Sequence, residues 1–151
     1  MDAQVVAQVE HGPDCAWRDP MAAAEAFHAL GASLAVRDAA LLVVVEAYRA
    51  DTKWSALLLD LLRPEMAFRV AVFRPRPPVI DAADIYSQLV LEILRAAAKM
   101  PLPPDARRVG YRIVRRAGWA VNRWLRREAN YQAHLEPLPN EDEDDAAEEE
   151  E

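Results

Sequence analysis

The chain has 151 residues, of which 52% are hydrophobic, so it is long enough and apolar enough for one domain with a core. Its formal net charge is −7, and the last 11 residues, EDEDDAAEEEE, hold nine of the 25 acids. The rest of the chain therefore has 16 acids and 18 lysines and arginines, a formal net charge of about +2. The acidic total therefore does not exclude a nucleic-acid partner for a mildly basic domain.

Helical signals begin after residues 1–18, which are predicted to be loosely ordered. Asp19 and Pro20 have the residue types of an N-cap and a first helical position, and they predict a helix that ends before Gly31. A second helix is predicted over 33–49. Its inward residues recur at helical spacing: Leu34, Leu41, Leu42, Val45 and Tyr48.

A third helix is predicted from residue 51 or 52, because Asp and Thr are favoured caps. Its apolar stripe is Trp54, Leu57, Leu58, Leu61 and Leu62. Pro64 is expected either to kink this helix or to begin the next one. Residues 66–73 are compatible with a helix or a strand, and the arginine–proline segment 74–78 then interrupts the chain.

Asp81 is predicted to cap a fourth helix over 81–100, and its pairing with Asp84 is typical of a helix start rather than of catalytic carboxylates. The predicted apolar face is Ile85, Tyr86, Leu89, Val90, Ile93 and Ala97. The predicted polar face is Asp84, Ser87, Gln88, Glu92, Arg95 and Lys99, with Leu91 exposed among them.

Residues 105–130 contain the most informative helix, which has two different faces. At about 100° per residue, one arc of about 140° collects seven arginines, a tryptophan and an asparagine: Arg108, Arg112, Arg115, Arg116, Trp119, Asn122, Arg123, Arg126 and Arg127. The opposite side is apolar and includes Trp124, which is predicted to lie in the core. Gly110 and Gly118 are expected to mark a break in this helix.

The composition of the arginine face allows two interpretations. Guanidinium groups match phosphates and base edges, and an aromatic ring among them is typical of single-stranded nucleic-acid surfaces. The alternative is an ordinary solvated face of a surface helix.

Taken together, the pattern predicts an all-α protein. We expect a single compact helical domain of about five helices over 19–136, followed by a disordered acidic tail at 137–151. The tail is either a solubilising segment or a nucleic-acid mimic that folds over the arginine face.

The sequence lacks the patterns of catalytic and cofactor sites. Its four glycines are isolated, so no phosphate-binding glycine loop is present, and His11 and Cys15 lack a second ligand pair for a metal. We predict no catalytic residue, no cofactor and no metal, and hence no enzyme. A lone cysteine, the absence of an apolar N-terminal segment and the short apolar run at 39–45 indicate a cytoplasmic protein without a membrane partner.

Three segments in order resemble region 2 of bacterial RNA polymerase sigma factors of the extracytoplasmic-function type. Arg49-Ala50-Asp51-Thr52, followed by Trp54, resembles the family's arginine-alanine-glycine-aspartate turn and the aromatic after it. Residues 81–91 are similar to the pattern D-x-x-D-[apolar]-x-Q-[DE]-[apolar]-[apolar]-L, although Ser87-Gln88 stands where the family has glutamine and an acid. Residues 111–127 resemble the family's aromatic and arginine-rich helix.

The resemblance implies a transcription initiation protein that contacts RNA polymerase and the promoter −10 element. The implied polymerase-binding residues are Asp84, Gln88, Leu91, Glu92 and Arg95. The implied DNA-binding residues are Arg108, Arg112, Arg115, Arg116, Trp119, Asn122, Arg123 and Arg126. Expected partners are the polymerase core, promoter DNA and an inhibitory protein. The alternative is a helical protein-interaction or regulatory module that keeps the fold without promoter activity.

Overall fold

The computed structural model describes Trp17 and residues 19–73 and 80–135. These residues form five α-helices and one short 3₁₀ turn, which confirms the all-α fold class. The elements are α1 (Pro20–His28), α2 (Leu34–Ala50), the 3₁₀ turn (Thr52–Trp54), α3 (Ser55–Val72), α4 (Ala82–Lys99) and α5 (Val109–His134). Apart from Trp17, the predicted loose N-terminus, the 74–78 segment and the acidic tail lie outside the described residues.

Local capping explains where most of these helices begin. The Asp19 carboxylate accepts a hydrogen bond from the backbone N–H of Met21, and the Ser33 hydroxyl accepts one from that of Val36. Such side chains satisfy backbone donors that have no partner inside the helix. Both predicted starts are confirmed, and α1 ends at His28, ahead of the positive-φ Gly31.

Helix α3 settles the ambiguous segment 66–73, because the chain remains helical to Val72. The expected start of a new helix at Pro64 is wrong, because α3 continues through this residue. Proline removes one backbone hydrogen bond, but Met66 is buried beyond it, and that burial favours continuation of the helix.

The core consists of side chains from all five helices. Its largest fully buried members are Leu41, Leu58, Leu61, Leu62, Ile85, Leu89, Ile93, Ile113, Val44, Val45, Val109 and Val121. Two predicted inward residues are instead exposed, Leu34 by 76% and Tyr86 by 51%. Leu34 is the first residue of α2, and Tyr86 lies one residue, or about 100°, from the buried stripe that begins at Ile85.

The chain divides into two compact units, Met1–Val121 and Asn122–Glu151, with the boundary inside α5. The first unit contains α1 to α4 and the first half of α5. In the second unit, Trp124 is half-buried rather than in a core. The described part of that unit is one helix end and Leu135, so it holds no second helix to enclose the indole.

Candidate nucleic-acid interface

Helix α5 begins at a cap that comes from a distant part of the chain. The backbone N–H groups of Arg108 and Val109 each donate to one oxygen of the Asp38 carboxylate on α2, both at 3.0 Å. Arg108 has a φ of 54°, in the left-handed region that is unusual for a side chain other than glycine. Asp38 therefore fixes the first turn of α5, where an anion is also favoured by the helix dipole.

The two glycines of α5 do not break the helix, which is continuous from Val109 to His134. They lie instead where neighbouring side chains approach most closely. A Cβ atom on Gly110 would lie 3.3 Å from methyl groups of both Leu41 and Leu62, and one on Gly118 would lie 3.0 Å from Arg69 Nε. The expected break is wrong because close packing offsets a helix-propensity cost of about 1 kcal/mol per glycine.

The apolar side of α5 determines which side chains face outward. Within the first unit, Val109, Ile113, Val114, Ala117 and Val121 are buried. This burial leaves Arg112, Arg115, Arg116 and Trp119 exposed. The sequence-predicted orientation of the first half of the helix is confirmed.

Arginines and aromatic rings alternate along this exposed side. The guanidinium carbon of Arg108 lies 4.2 Å from the centre of the Tyr111 ring, and that of Arg115 lies 5.9 Å from the same ring. Arg115 also lies 4.7 Å from the centre of the Trp119 ring. We call these four residues (Arg108, Tyr111, Arg115 and Trp119) the arginine–aromatic ladder. Cation–π attraction favours these positions of the guanidinium groups next to the aromatic rings.

The ladder remains accessible and positively charged. Trp119 is 53% exposed, although large aromatic side chains are among the most favourable to bury. Within residues 19–73 and 80–135, none of the α5 arginines pairs with a carboxylate. Their N–H donors are therefore available to an anionic ligand.

The other predicted DNA-binding residues belong to the second unit. Asn122, Arg123 and Arg126 are exposed there, as the helical pattern predicts. The structure therefore groups five of the eight predicted residues in the first unit, and a joint role with the other three stays a prediction from the sequence.

The predicted polymerase-binding face on α4 has different chemistry. Glu92 Oε1 accepts hydrogen bonds from Gln88 Nε2 at 3.1 Å and from an Arg95 guanidinium nitrogen at 2.9 Å, and its side chain is only 13% exposed. Asp84 closes a capping box with Asp81. Leu91 is exposed, as predicted. The acids of this face are thus engaged within the helix itself.

Three side chains with positioning roles were missed by sequence reasoning. Asp38 caps α5, Arg69 lies against Gly118, and Arg49 donates from Nε to the carbonyl of Ala97 at 2.8 Å and also to that of Met100 at the end of α4. Each partner lies some 50 to 70 residues away in the chain, so helical periodicity carries no signal for it.

No protein-family model, curated protein or solved structure matches this chain. Across the part of the chain that the structure describes, no helix combines the length and apolar character needed to cross a membrane. The side chains of α5 therefore provide the main observation that bears on function.

Proposed function

We propose that this chain binds opened promoter DNA through the arginine–aromatic ladder, as a transcription initiation protein similar to region 2 of sigma factors. The observation that carries the proposal is the exposed Trp119 indole held against the Arg115 guanidinium, 4.7 Å away. A solvated helix face does not require an exposed tryptophan, whereas an unpaired base does offer a surface for it to stack on.

The ladder supplies two kinds of contact to a single strand. Trp119 and Tyr111 offer ring surfaces, and base stacking is worth about 1–3 kcal/mol per base. Arg112 and Arg116, exposed one helical turn apart, offer charges to the phosphates. Phosphate contacts give an affinity that falls with salt, because binding releases condensed counterions.

A contact with RNA polymerase through α4 belongs to the same proposal. The exposed Leu91 and Arg95 supply an apolar point and a cation next to each other on one helix face. Glu92 would orient Arg95 through the hydrogen bond that it accepts, and Gln88 would hold Glu92 in place. Asp84 would stay in its capping box with Asp81 rather than meet the polymerase as an unpaired charge.

The test compares binding of a forked AT-rich DNA with an opened strand over a salt series. Trp119→Ala and Arg115→Ala are expected to weaken binding by about tenfold each, and Arg115→Ala is expected to reduce the salt slope as well. Arg95→Ala is the matched control, since it removes one exposed arginine from α4 and leaves the ladder intact.

Absence of binding at low salt, with residues 140–151 removed, would reject the DNA-binding function. A helical protein-interaction module is the second candidate, and it is favoured by the exposed Phe68 and Val72 one turn apart on α3. A pull-down with RNA polymerase core, using Leu91→Ala as the variant, tests the α4 contact separately.

A further inference from the structure

We infer that Arg69 of α3 is a phosphate-binding residue of the same site, so that a bound strand crosses the seam between α3 and α5. This inference rests on the proposed function. It adds a residue from a different helix and gives Gly118 a role in binding.

Arg69 lies directly on the backbone of α5. From an ideal Cβ position on Gly118, the distances are 3.0 Å to Arg69 Nε, 3.1 Å to Cδ and 3.4 Å to Cζ. The two shorter distances are tighter than an ordinary van der Waals approach of a Cβ atom. A methyl group added at Gly118 would therefore require the Arg69 side chain to shift by a few tenths of an ångström.

This position is at the edge of the arginine–aromatic ladder. Gly118 directly precedes Trp119 and is about 60° around the helix from Arg115, at 100° per residue. It is also within about 20° of Tyr111, two turns earlier. Arg69 thus adds a cation at the level of Trp119, on the side of the ladder that faces α3.

The electrostatic environment of Arg69 favours an anionic ligand. Its side chain is half-buried, and within the described ranges it pairs with no carboxylate. A partly desolvated cation without a counter-charge is costly, and a phosphate oxygen would relieve that cost. Arg63 on the same helix is exposed and already paired with Asp60 at 3.1 Å.

The arrangement also restricts the path of the strand. Arg112 and Arg116 lie on α5, whereas Arg69 approaches from α3. Phosphates held from two helices keep a single strand against the rings between them, because phosphate contacts position a nucleic acid and stacking retains its bases.

The test measures binding of a single-stranded oligothymidylate by the full chain across a salt series. Arg69→Met keeps an unbranched apolar stem and removes the charge. We expect about a tenfold loss of affinity and a salt slope that is smaller by about 0.7, the value for one phosphate on a single strand. Arg63→Met, which removes the same charge about 120° away around α3, is expected to leave the slope unchanged.

Two further variants separate a binding role from a structural one. Arg69→Lys should restore the salt slope but only part of the affinity, since lysine keeps the charge without the planar fork. Gly118→Ala should displace the Arg69 side chain and lower the affinity about threefold at unchanged or higher thermal stability. Equal slopes for Arg69→Met, Arg63→Met and the wild type would overturn the role of Arg69 alone, whereas a wild type that binds no oligonucleotide would overturn the proposed function as well.

Discussion

Helices α4 and α5 both present a long polar face to solvent, but their charges are arranged in opposite ways. On α4, Glu92 accepts hydrogen bonds from both Gln88 and Arg95, so acid and base neutralise each other within one turn. At the start of α5, Arg108 and Arg115 contact aromatic rings instead, and none of the arginines on the first half of α5 is paired with a carboxylate among the described residues.

This difference separates a polar face that supports a helix from one that is suited to a ligand. Intrahelical pairs of opposite charge stabilise an exposed helix by a few tenths of a kcal/mol each. Adjacent arginines repel one another and contribute no such stability. The α5 face therefore has charge in excess of what the fold needs, and an anionic partner is the simplest reason for that excess.

The largest predicted effect comes from reversing the charge of that face. The double variant Arg112→Glu/Arg116→Glu places acids at two exposed positions one turn apart. We expect the affinity for single-stranded DNA to fall by at least about a hundredfold at low salt, because two phosphate contacts become repulsions. Fluorescence anisotropy with a labelled oligonucleotide measures this loss.

The matched change on α4 is Arg95→Glu, which also reverses an exposed arginine. It should leave DNA affinity within about twofold while weakening the helix by a few tenths of a kcal/mol through loss of the Glu92 pair. Comparable losses of affinity for the α4 and α5 variants, after allowance for the number of charges, would show that only net charge matters.

Helices α4 and α5 also differ in the origin of the side chain that caps their first turn. Asp81 caps α4 locally, whereas Asp38 on α2 caps α5 from a distance. Asp38→Ala is expected to lower the free energy of unfolding by about 1–2 kcal/mol, as for other lost N-caps. Because the ladder starts at Arg108, the same variant should also weaken DNA binding, as a titration at a temperature well below the unfolding midpoint would show.

Asp81→Ala provides the comparison, with a loss of about 1 kcal/mol in urea unfolding. It should not alter DNA affinity, because α4 carries no residue of the ladder. If Asp38→Ala and Asp81→Ala lowered DNA affinity equally, the capping of α5 by Asp38 would not contribute specifically to DNA binding.

The parts of the fold that depend on local chemistry could be predicted from the sequence. The Asp19, Ser33 and Asp81 caps act within one turn, so they fix helix starts without reference to other elements. The outward orientation of Trp119 followed from helical periodicity, which places it between arginines and away from Ile113.

The remainder depends on packing between distant segments. The residue type of Pro64 allows a new helix to start there, but α3 continues through it and buries Met66. The two α5 glycines are typical of helix breaks, but they lie against side chains of α2 and α3 within a continuous helix. The sequence does not predict the contact between Arg69 and Gly118, because it forms only when α3 packs against α5. Tertiary contacts of this kind override local propensity.

The smallest effect is predicted at Arg108, which has a positive φ and is also the first residue of the ladder. Arg108→Gly should remove about 1 kcal/mol of strain at the positive φ, but it also loses a cation–π contact worth about 0.5–1 kcal/mol at an exposed site, so the free energy of unfolding should barely change. Arg108→Ala keeps the strain and loses the same contact, so urea unfolding should find it about 1 kcal/mol less stable than the glycine variant.

Both variants lack the guanidinium and should lose the same amount of DNA affinity, about threefold for one partly screened charge. Equal stability of the two variants would mean that the left-handed backbone of Arg108 carries no strain, and unequal affinities would mean that the backbone at this position, rather than its charge, acts on the strand.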